Sequence, residues 1–339
     1  MNYHFNYIIT IHNKQDLIKE VLLGVIKSCR EDSVIYPVLD GCTDDTEKII
    51  DALAEEYKNI KIVKIYAPDV HEIKSLNIAL RSIPQTENVL NITLQDDVIL
   101  QDSNLEKNII TLYDQFGFEN VGTVTFRHGA TILLNNKLKQ IEETDVTESV
   151  YGVGMTNQPI PSYSVVEKMV SVRSPECISS HVINTVGYFD EELAPYTWDN
   201  HDLSIRCLKN GLRNFVFAVP FISDVNWGGM RKNPHPELAR VMKRNKEILY
   251  FKHKEFIEKF SQTIQFDALR IAKPFYLKNL PLSLAKDLKL ALNIYQNRRK
   301  QMLSNPYQRF FIDKIKKNLR SIIYLLISVK IYFRKLINN

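Results

Sequence analysis

The stretch VLNITLQDD, residues 89–97, joins an apolar run to a pair of carboxylates. Aliphatic and β-branched side chains dominate Val89–Leu94, which predicts a strand buried on both faces. Asp96 and Asp97 follow it, where the strand is expected to end. Because two neighbouring carboxylates repel each other unless a cation or solvent compensates them, this end of the strand is a candidate functional edge.

Short apolar runs and helical patterns alternate on both sides of this stretch. Strands separated by helices of about 10–15 residues indicate a doubly wound α/β sheet that is mostly parallel, and ligands of such sheets bind beyond the carboxyl ends of the strands. The predicted strands are Tyr7–Ile11, Val34–Leu39, Ile60–Tyr66, Val89–Leu94 and Val121–Phe126. The predicted helices are Gln15–Cys29, Asp44–Tyr57, Glu72–Arg81 and Ser103–Phe116.

The pattern becomes irregular beyond residue 127. Residues 128–176 show little periodicity and contain several Gly, Pro, Ser, Thr and Asn, which predicts a long loop that is functional or mobile. Periodicity returns at Ile178–Val186 and at Asp199–Asn210, where Gly211 supplies a helix stop. A strand is then predicted at Asn214–Val219, a long amphipathic helix at Pro236–Phe260, and basic helical sequence beyond it.

The charge of the chain is distributed unevenly. The 339 residues are 45% hydrophobic and 24% charged, as in folded globular proteins, and carry a formal net charge of +5. Residues 297–339 hold 11 Lys and Arg against one acid, Asp313, so the preceding 296 residues have a net charge of −5. A mildly acidic body with a basic tail argues against a nucleic-acid-binding protein.

Cysteine spacing and hydropathy indicate the cellular compartment of the protein. Cys29, Cys42, Cys177 and Cys207 show no CxxC spacing, which argues against a zinc ribbon or a disulfide framework. The N-terminus lacks the pattern of a secretory signal. The sequence contains no run of about 18 apolar residues, so we expect no membrane-spanning helix. We therefore expect a cytoplasmic protein.

Polar residues gather at the ends of the first, second and fourth predicted strands. Thr10, His12 and Asn13 end the first strand, and Asp40 with Gly41 ends the second. Carboxylates at such positions accept from a base N–H or a ribose hydroxyl, and adjacent ones bind a divalent cation together with phosphate. Taken singly, Asp40-Gly41 is also typical of a turn and Asp44 of a helix N-cap.

The order of five motifs between about Tyr7 and Trp227 resembles that of family 2 glycosyltransferases with a GT-A fold. The motifs are TIHN (10–13), VLDGCTDDT (38–46), EIKSLNIAL (72–80), TLQDDVILQD (93–102) and GYFDEELAPYTWDNHDLSIR (187–206). The resemblance implies an inverting enzyme that uses a nucleotide-sugar donor and Mn²⁺ or Mg²⁺.

The resemblance also assigns residues to the donor site. Asp97 is the implied metal ligand, and Asp96 is implied to lie nearer the ribose or the donor sugar. The other implied donor-binding residues are Thr10, Asp40, Lys74 and Asn77. His12 and Asn13 are further candidates because they lie at the end of the first predicted strand.

The chain departs from the family pattern at the motif of the catalytic base. The usual Glu-Asp-x-Asp-Leu reads here Asp199-Asn200-His201-Asp202-Leu203, which puts an amide in the position of the base. An amide cannot take a proton as a general base. Asp199 is the preferred candidate, then Asp202, then His201. In the alternative interpretation, Asp199 is a helix N-cap and Asp202 satisfies helix amides.

A second departure follows at residues 224–229, DVNWGG, where many relatives carry a His. Arg231 and Lys232 are then candidates to neutralise the diphosphate leaving group. The alternative is a solvated charge pair.

The C-terminal tail suggests a membrane partner. Ile322–Val329 is almost wholly apolar, too short to span a bilayer, and flanked by basic residues. We expect it to bind an anionic membrane surface, which would favour a lipid-linked glycan acceptor. The family resemblance then implies a role in bacterial surface-polysaccharide assembly. The alternative is a helix packed on the body or on a second subunit.

These interpretations define the expected organisation. Residues 1–260 would form the GT-A domain, with 1–127 binding the donor and 128–260 the acceptor, and 261–339 a helical basic extension. One alternative function, sugar nucleotidyl transfer, needs a glycine-rich loop after the first strand, and TIHNKQD has no glycine. The other, a non-catalytic binding protein on the same fold, stays open because of Asn200 and the missing His.

Overall fold

The computed structural model describes residues 3–151, 159–172, 174–223, 227, 236–263 and 275–276. All of them lie in the first of the two units into which the chain divides, Met1–Leu292. The second unit, Asn293–Asn339, and with it the predicted membrane-binding tail, lies outside the described residues.

The N-terminal half alternates strands and helices as predicted. Its strands are β1 (His4–Ile11), β2 (Val34–Asp40), β3 (Lys61–Ile62), β4 (Ile65–Ala67), β5 (Val89–Gln95), β6 (Ile99–Leu100) and β7 (Val121–Thr125). Its helices are α1 (Ile18–Ser28), α2 (Thr46–Glu56), α3 (His71–Ser82) and α4 (Leu105–Phe116). The strand predicted at Ile60–Tyr66 is divided into β3 and β4, which both pair with β2.

The C-terminal half contains more strands than predicted. They are β8 (His128–Asn135), β9 (Gln140–Ser149), β10 (Pro159–Ile160), β11 (Ser164–Lys168), β12 (Val170–Val172), β13 (Glu176–Ser179), β14 (Arg213–Phe217), β15 (Phe221–Ile222) and β16 (Phe275–Tyr276). The helices are α5 (Ser180–Val186), a 3-10 turn (Glu191–Leu193), α6 (Asp199–Lys209) and α7 (Pro236–Thr263).

One mixed sheet organises the molecule, in the order β16-β11-β14-β7-β13-β5-β1-β2-β3. The strands β5, β1 and β2 are parallel and in register, with Thr10 beside both Val38 and Gln95. Their carboxyl ends therefore lie along one edge. The predicted class, an α/β fold with a mostly parallel sheet flanked by helices, is confirmed.

Both faces of this sheet are buried. Tyr7 and Ile9 of β1 pack with the apolar faces of α1 and α4, whereas Ile8 packs on the opposite side with those of α3 and α6. Successive side chains of a strand point to opposite faces, so a strand covered on both sides is apolar throughout. Among the described helices none is long and apolar enough to cross a bilayer.

The interpretation of residues 128–176 as a long loop is wrong for their described part. β8 and β9 form an antiparallel hairpin that extends into a four-stranded sheet with β10 and β12. β9, QIEETDVTES, is mostly polar, although Glu143 is its one exposed residue and the others are half-buried or buried. Its pairing with β8 stabilises the strand, and its polar composition hides the strand signal in the sequence.

Candidate active site

The strand ends bring four of the predicted donor-binding residues together. The backbone N–H of His12 donates to Asp96 Oδ2 at 3.1 Å, and His12 Nδ1 lies 2.7 Å from the carbonyl oxygen of Asp40. The hydroxyl of Thr10 reaches the carbonyl of Leu94 at 3.5 Å. The ends of β1, β2 and β5 are thus tied directly to one another, as their parallel register requires.

Asp40 and Asn13 shape the loops around this edge. Asp40 Oδ1 accepts from the backbone N–H of Val70 at 2.8 Å, and Asn13 Oδ1 accepts from that of Thr43 at 2.7 Å. Gly41 has a φ of +61°, and a Cβ there would lie 2.6 Å from Cβ of Asp69. A glycine is therefore required where the two loops meet.

Lys14 is a site residue that the sequence did not single out. Its ammonium lies 3.1 Å from Asp96 Oδ1 and donates to the carbonyl of Trp227 at 2.9 Å. Burial raises the pKa of Asp96, and the charge of Lys14 opposes that shift. A lysine three residues past a strand end is a common surface feature, so its position in the sequence carries no signal.

Asp97 lies beside this pair and is 4% exposed. In the described part of the chain no three His, Cys, Asp or Glu side chains are arranged to hold a metal ion. Mg²⁺ and Mn²⁺ need no such cluster, since one or two carboxylates and the phosphates of a substrate complete their oxygen shell. The donor set of Asp97 and an incoming diphosphate therefore fits a divalent cation.

Four consecutive polar residues at the start of α6 have four different environments. Asn200 donates to both oxygens of Glu176 on β13, at 2.8 and 2.7 Å. His201 Nε2 lies 2.8 Å from Glu143 Oε1 on β9, and Asp202 contacts helix α7. Asp199 lines a small cavity at the sheet edge. The first turn of α6 is thus fastened to three elements and presents one carboxylate to the cavity.

Asp202 is a buried anchor between two helices. Its Oδ1 lies 2.8 Å from Nε2 of His253 on α7, and its Oδ2 accepts from Arg206 Nε at 2.6 Å. Burial alone would raise the pKa of Asp202, but the His253 hydrogen bond and the Arg206 charge outweigh it and lower the pKa. Lys209 donates to Nδ1 of His253 at 2.8 Å, so Nε2 carries the hydrogen donated to Asp202.

The cavity contains two carboxylates that the sequence did not predict. It is lined by Thr10, Leu76, Thr93, Leu94, Ser174 and Asn200, and by the acids Glu72, Glu176 and Asp199. Burial, followed by repulsion from Asp199, raises the pKa of Glu72 to about 7. Burial raises the pKa of Glu176 to about 7 as well, although Asn200 and Thr93 donate to it. Neither has a local signal, because a single Glu on a helix or strand is usually solvated.

Asp199 has the third raised pKa, about 7, caused first by burial and then by repulsion from Glu176 and Asp202. A carboxylate with this pKa is a stronger base than a solvated one and is still about half ionised at neutral pH. The geometry therefore suits Asp199 to accept a proton inside the cavity.

The turn that leads into α6 is strained. Thr197 and Trp198 both have left-handed backbone angles, with φ of 76° and 69°. Left-handed non-glycine residues cost of order 1–3 kcal/mol each and persist only where the surroundings hold them. The helix starts at Asp199 with Trp198 as its N-cap and without a side-chain cap. The alternative in which Asp199 caps the helix is therefore not what the structure adopts.

The remaining predicted residues lie apart from the cavity or outside the described chain. Asn77 is fully buried and donates to the carbonyl of Phe189 at 2.8 Å and to Glu191 at 3.0 Å, which fixes the segment before α6. Lys74 is exposed on α3. Arg231 and Lys232 lie outside the described residues.

Comparisons with known proteins agree with this architecture. A search of curated protein sequences found no match. TarS 1-349 from S. aureus, solved with UDP-GlcNAc, superposes with a TM-score of 0.50 at 16% identity and covers 87% of this chain and 81% of its own. The mannosyltransferase PcManGT from Pyrobaculum calidifontis, solved with GDP-Man and Mn²⁺, is 14% identical, with a TM-score of 0.45 and coverage of 93% and 86%.

The similarity to TarS shows the fold, which is the GT-A fold expected from the five motifs. The family model of glycosyl transferase family 2 matches residues 7–154, the region that carries the strand-end residues and the QDD stretch. Residues 7–154 of the chain thus match the model of glycosyl transferase family 2, and the predicted resemblance is confirmed.

Proposed function

We propose that the protein is an inverting glycosyltransferase that moves a sugar from a nucleotide-sugar to a hydroxyl of a glycan acceptor. One observation carries the proposal. Asp199 and Asn200 at the start of α6 both line the cavity that opens beside Thr10 and Leu94, at the strand ends where the donor is expected, and Asp199 is the one of the two that carries a carboxylate.

In the proposed reaction the acceptor hydroxyl oxygen attacks the anomeric carbon from the face opposite the diphosphate. The new C–O bond forms as the bond to the nucleoside diphosphate breaks, and Asp199 takes the hydroxyl proton. Attack from the opposite face inverts the anomeric configuration. The raised pKa of Asp199 supports this role, since a general base works best with a pKa near the working pH.

We propose that Asp97 holds a divalent cation and that Asp96, paired with Lys14, faces the ribose or the donor sugar. The cation, when bound, supplies positive charge that stabilises the diphosphate as it leaves. The loops fixed by Asp40 and Asn13 would surround the base and ribose, together with Thr10 and His12. Lys74, Arg231 and Lys232 remain candidates for the outer parts of the donor.

The acceptor side is proposed from charge and chain order. Residues 1–127 would bind the donor and 128–260 the acceptor, and the basic residues of 261–339 would bind an anionic membrane surface. A lipid-linked glycan at the cytoplasmic face of a bacterial membrane would then be the acceptor, in surface-polysaccharide synthesis. The unequal charge of body and tail supports this part of the proposal.

One observation favours a second function. Asn200 stands at the family's base position, so a protein that binds a nucleotide-sugar or a glycan without turnover is the alternative. The two functions differ in whether bound donor is consumed.

The test is nucleotide release from a panel of UDP- and GDP-linked sugars, with Mn²⁺ or Mg²⁺ and then EDTA, and with membrane extract as acceptor. We expect release from one donor that EDTA and Asp97→Ala abolish. Asp199→Asn should retain donor binding and lose about 10²–10⁴-fold in rate. Asp51→Asn, on the exposed face of α2, is the matched control and should behave as wild type.

Donor binding without release from any sugar would favour the binding-protein alternative. Absence of binding to every donor would contradict the roles given to Asp40 and Asp97.

A further inference from the structure

Helix α7 holds the segment that precedes Asp199 through two adjacent residues. Asn245 is fully buried, and its side-chain amide donates to the carbonyls of Leu193, Tyr196 and Thr197 at 2.8, 3.1 and 2.9 Å. Arg244 donates to the carbonyls of Glu192 and Ala194 at 3.1 and 2.6 Å. Five carbonyls of one short segment are therefore bound by two neighbouring side chains.

The amide of Asn245 is itself oriented. Arg244 Nε donates to Asn245 Oδ1 at 3.0 Å, which directs the NH₂ group of Asn245 towards the segment. Asn suits the position because a neutral amide offers two N–H donors, one of them shared between two of the three carbonyls, without adding a buried charge. Removing it would leave buried carbonyl oxygens without a donor.

The bound segment contains the strained turn. Thr197 and Trp198 have left-handed backbone angles, and Asn245 bonds to the carbonyl of the first of them. The next residue on α7, Lys246, places its ammonium 4.9 Å from the centre of the Trp198 ring, and the ring packs on His201 at 4.1 Å. The strain therefore persists because α7 fixes the turn on several sides.

We infer that Asn245 is a positioning residue for glycosyl transfer: it holds the Thr197–Trp198 turn in the left-handed conformation that directs Asp199 into the cavity. The inference rests on the proposed function, because it gives Asn245 its role through Asp199. A turn that relaxes to ordinary backbone angles changes the direction of the first residues of α6, and Asp199 is the first of them.

The charged groups around Asp199 make its environment sensitive to this turn. Glu72 from α3 and Glu176 from β13 face the same cavity, and Asp202 lies one turn on along α6. The charges of Asp97 and Asp96 also raise the pKa of Glu72, which lines the cavity. A shift of Asp199 among these carboxylates would alter the ionisation of the base as well as its position.

Two variants of the holding residues and one control test the inference. Asn245→Ala removes the three bonds to the segment. Arg244→Ala, at an exposed side chain, removes two others and keeps the protein folded if the buried substitution does not. The control is Tyr250→Phe, which removes the hydrogen bond that α7 donates to Asn136 and does not involve the turn.

The kinetic measurement is kcat and donor KM in the full chain with its metal and donor. We expect Asn245→Ala to lower kcat at least about tenfold with donor KM within about twofold, and Arg244→Ala to lower kcat by a smaller factor. The acidic limb of the kcat–pH profile should move in Asn245→Ala and stay in place in Tyr250→Phe.

Hydrogen–deuterium exchange gives a readout that does not depend on activity. Exchange should accelerate in peptides covering 193–203 in both holding variants, and not in Tyr250→Phe. Wild-type kcat and exchange in Asn245→Ala and Arg244→Ala would overturn the inference. So would a loss of kcat with an unmoved pH profile and with exchange accelerated along all of α7, because that pattern marks a merely structural residue.

A wild-type protein that transfers no sugar would overturn the proposed function. The exchange experiment would still decide whether Asn245 holds the turn, so the two failures are distinguishable.

Discussion

At the scale of single residues, the site depends on the different environments of Asp199, Asn200, His201 and Asp202 at the start of α6. Asn200 donates to the buried Glu176, Asp202 accepts from His253 and Arg206, and His201 lies against Glu143. A group bound in this way serves stability more readily than proton transfer, because it already has a hydrogen-bond partner. Asp199 lies among acids that raise its pKa, and it is the residue of the four that is suited to accept a proton.

The ionisation of Asp199 predicts a pH profile. Burial and repulsion from Glu176 hold its pKa at about 7, and the proposed base acts only when ionised. With saturating donor, kcat should therefore rise with pH through about 7 and level off above about pH 8. A rate that is flat between about pH 5 and 8, or that falls as pH rises through 7, would contradict Asp199 as the base.

The same raised pKa predicts that Asp199→Asn stabilises the folded state. A carboxyl with a folded pKa above its unfolded value favours folding at low pH, and this benefit is lost as pH rises through about 7. The variant should gain about 1–2 kcal/mol in free energy of unfolding at about pH 8 and less at about pH 5. Thermal unfolding at both pH values measures it, with Asp51→Asn expected to show no gain at either.

Restoring the family's acid at position 200 should harm the protein. Asn200→Asp would replace two donors to Glu176 by a carboxylate that faces its oxygens at hydrogen-bond distance. We expect a loss of about 2–3 kcal/mol in free energy of unfolding and no gain in kcat. Adding Glu176→Gln should recover most of the stability. An active, fully stable Asn200→Asp would contradict the positions given to these side chains.

At the scale of elements, the contacts between α6 and α7 hold in place the helix whose first turn lines the cavity. His253 of α7 lies between Asp202 and Lys209, and its pKa is lowered by burial, which outweighs the Asp202 hydrogen bond. The helices therefore meet through a buried ion–imidazole network and not through apolar packing alone. The long helix α7 serves the site twice, through this network and through the turn before Asp199.

Breaking that network should cost stability and change its pH dependence. Asp202→Asn should lose about 2–4 kcal/mol in free energy of unfolding near pH 7. The lowered pKa of Asp202 means that its contribution is present above its unfolded pKa and lost as pH falls. The gap between variant and wild type should therefore narrow on acidification. Urea unfolding at several pH values tests this, and a gap that widens at low pH would contradict it.

At the scale of the whole molecule, the carboxyl ends of the parallel strands and the first turn of α6 meet at the cavity. Thr10 and Leu94 come from adjacent strands of the N-terminal half, whereas Glu176 and Asp199 come from the C-terminal half. A donor bound across this edge would contact both halves of the described unit. Its binding free energy would therefore add to the stability of the folded chain.

Donor and metal together should raise the thermal unfolding temperature. At about 100 times the dissociation constant the gain is about 2.7 kcal/mol. The shift should need both the donor and Mn²⁺ or Mg²⁺ and should be lost in Asp97→Ala. An equal shift with EDTA present would contradict a metal held by Asp97.

Local pattern was enough to predict the N-terminal sheet. Hydrophobic periodicity fixed β1, β2, β5 and the helices between them, and parallel register then placed Thr10, Asp40 and Asp96 at one edge. The β8–β9 hairpin was missed because β9 is mostly polar although little of it is exposed, and a strand of that kind is stabilised by its partner more than by its own composition.

The amino-acid sequence by itself therefore determined the fold class and the edge of the sheet where chemistry is expected, because both follow from periodicity and chain order. Only the tertiary structure decided which carboxylate of the DNHD run lines the cavity. Asn200, His201 and Asp202 each have a partner 24 to 58 residues away along the chain. Burial and charge at that distance set the pKa of Asp199.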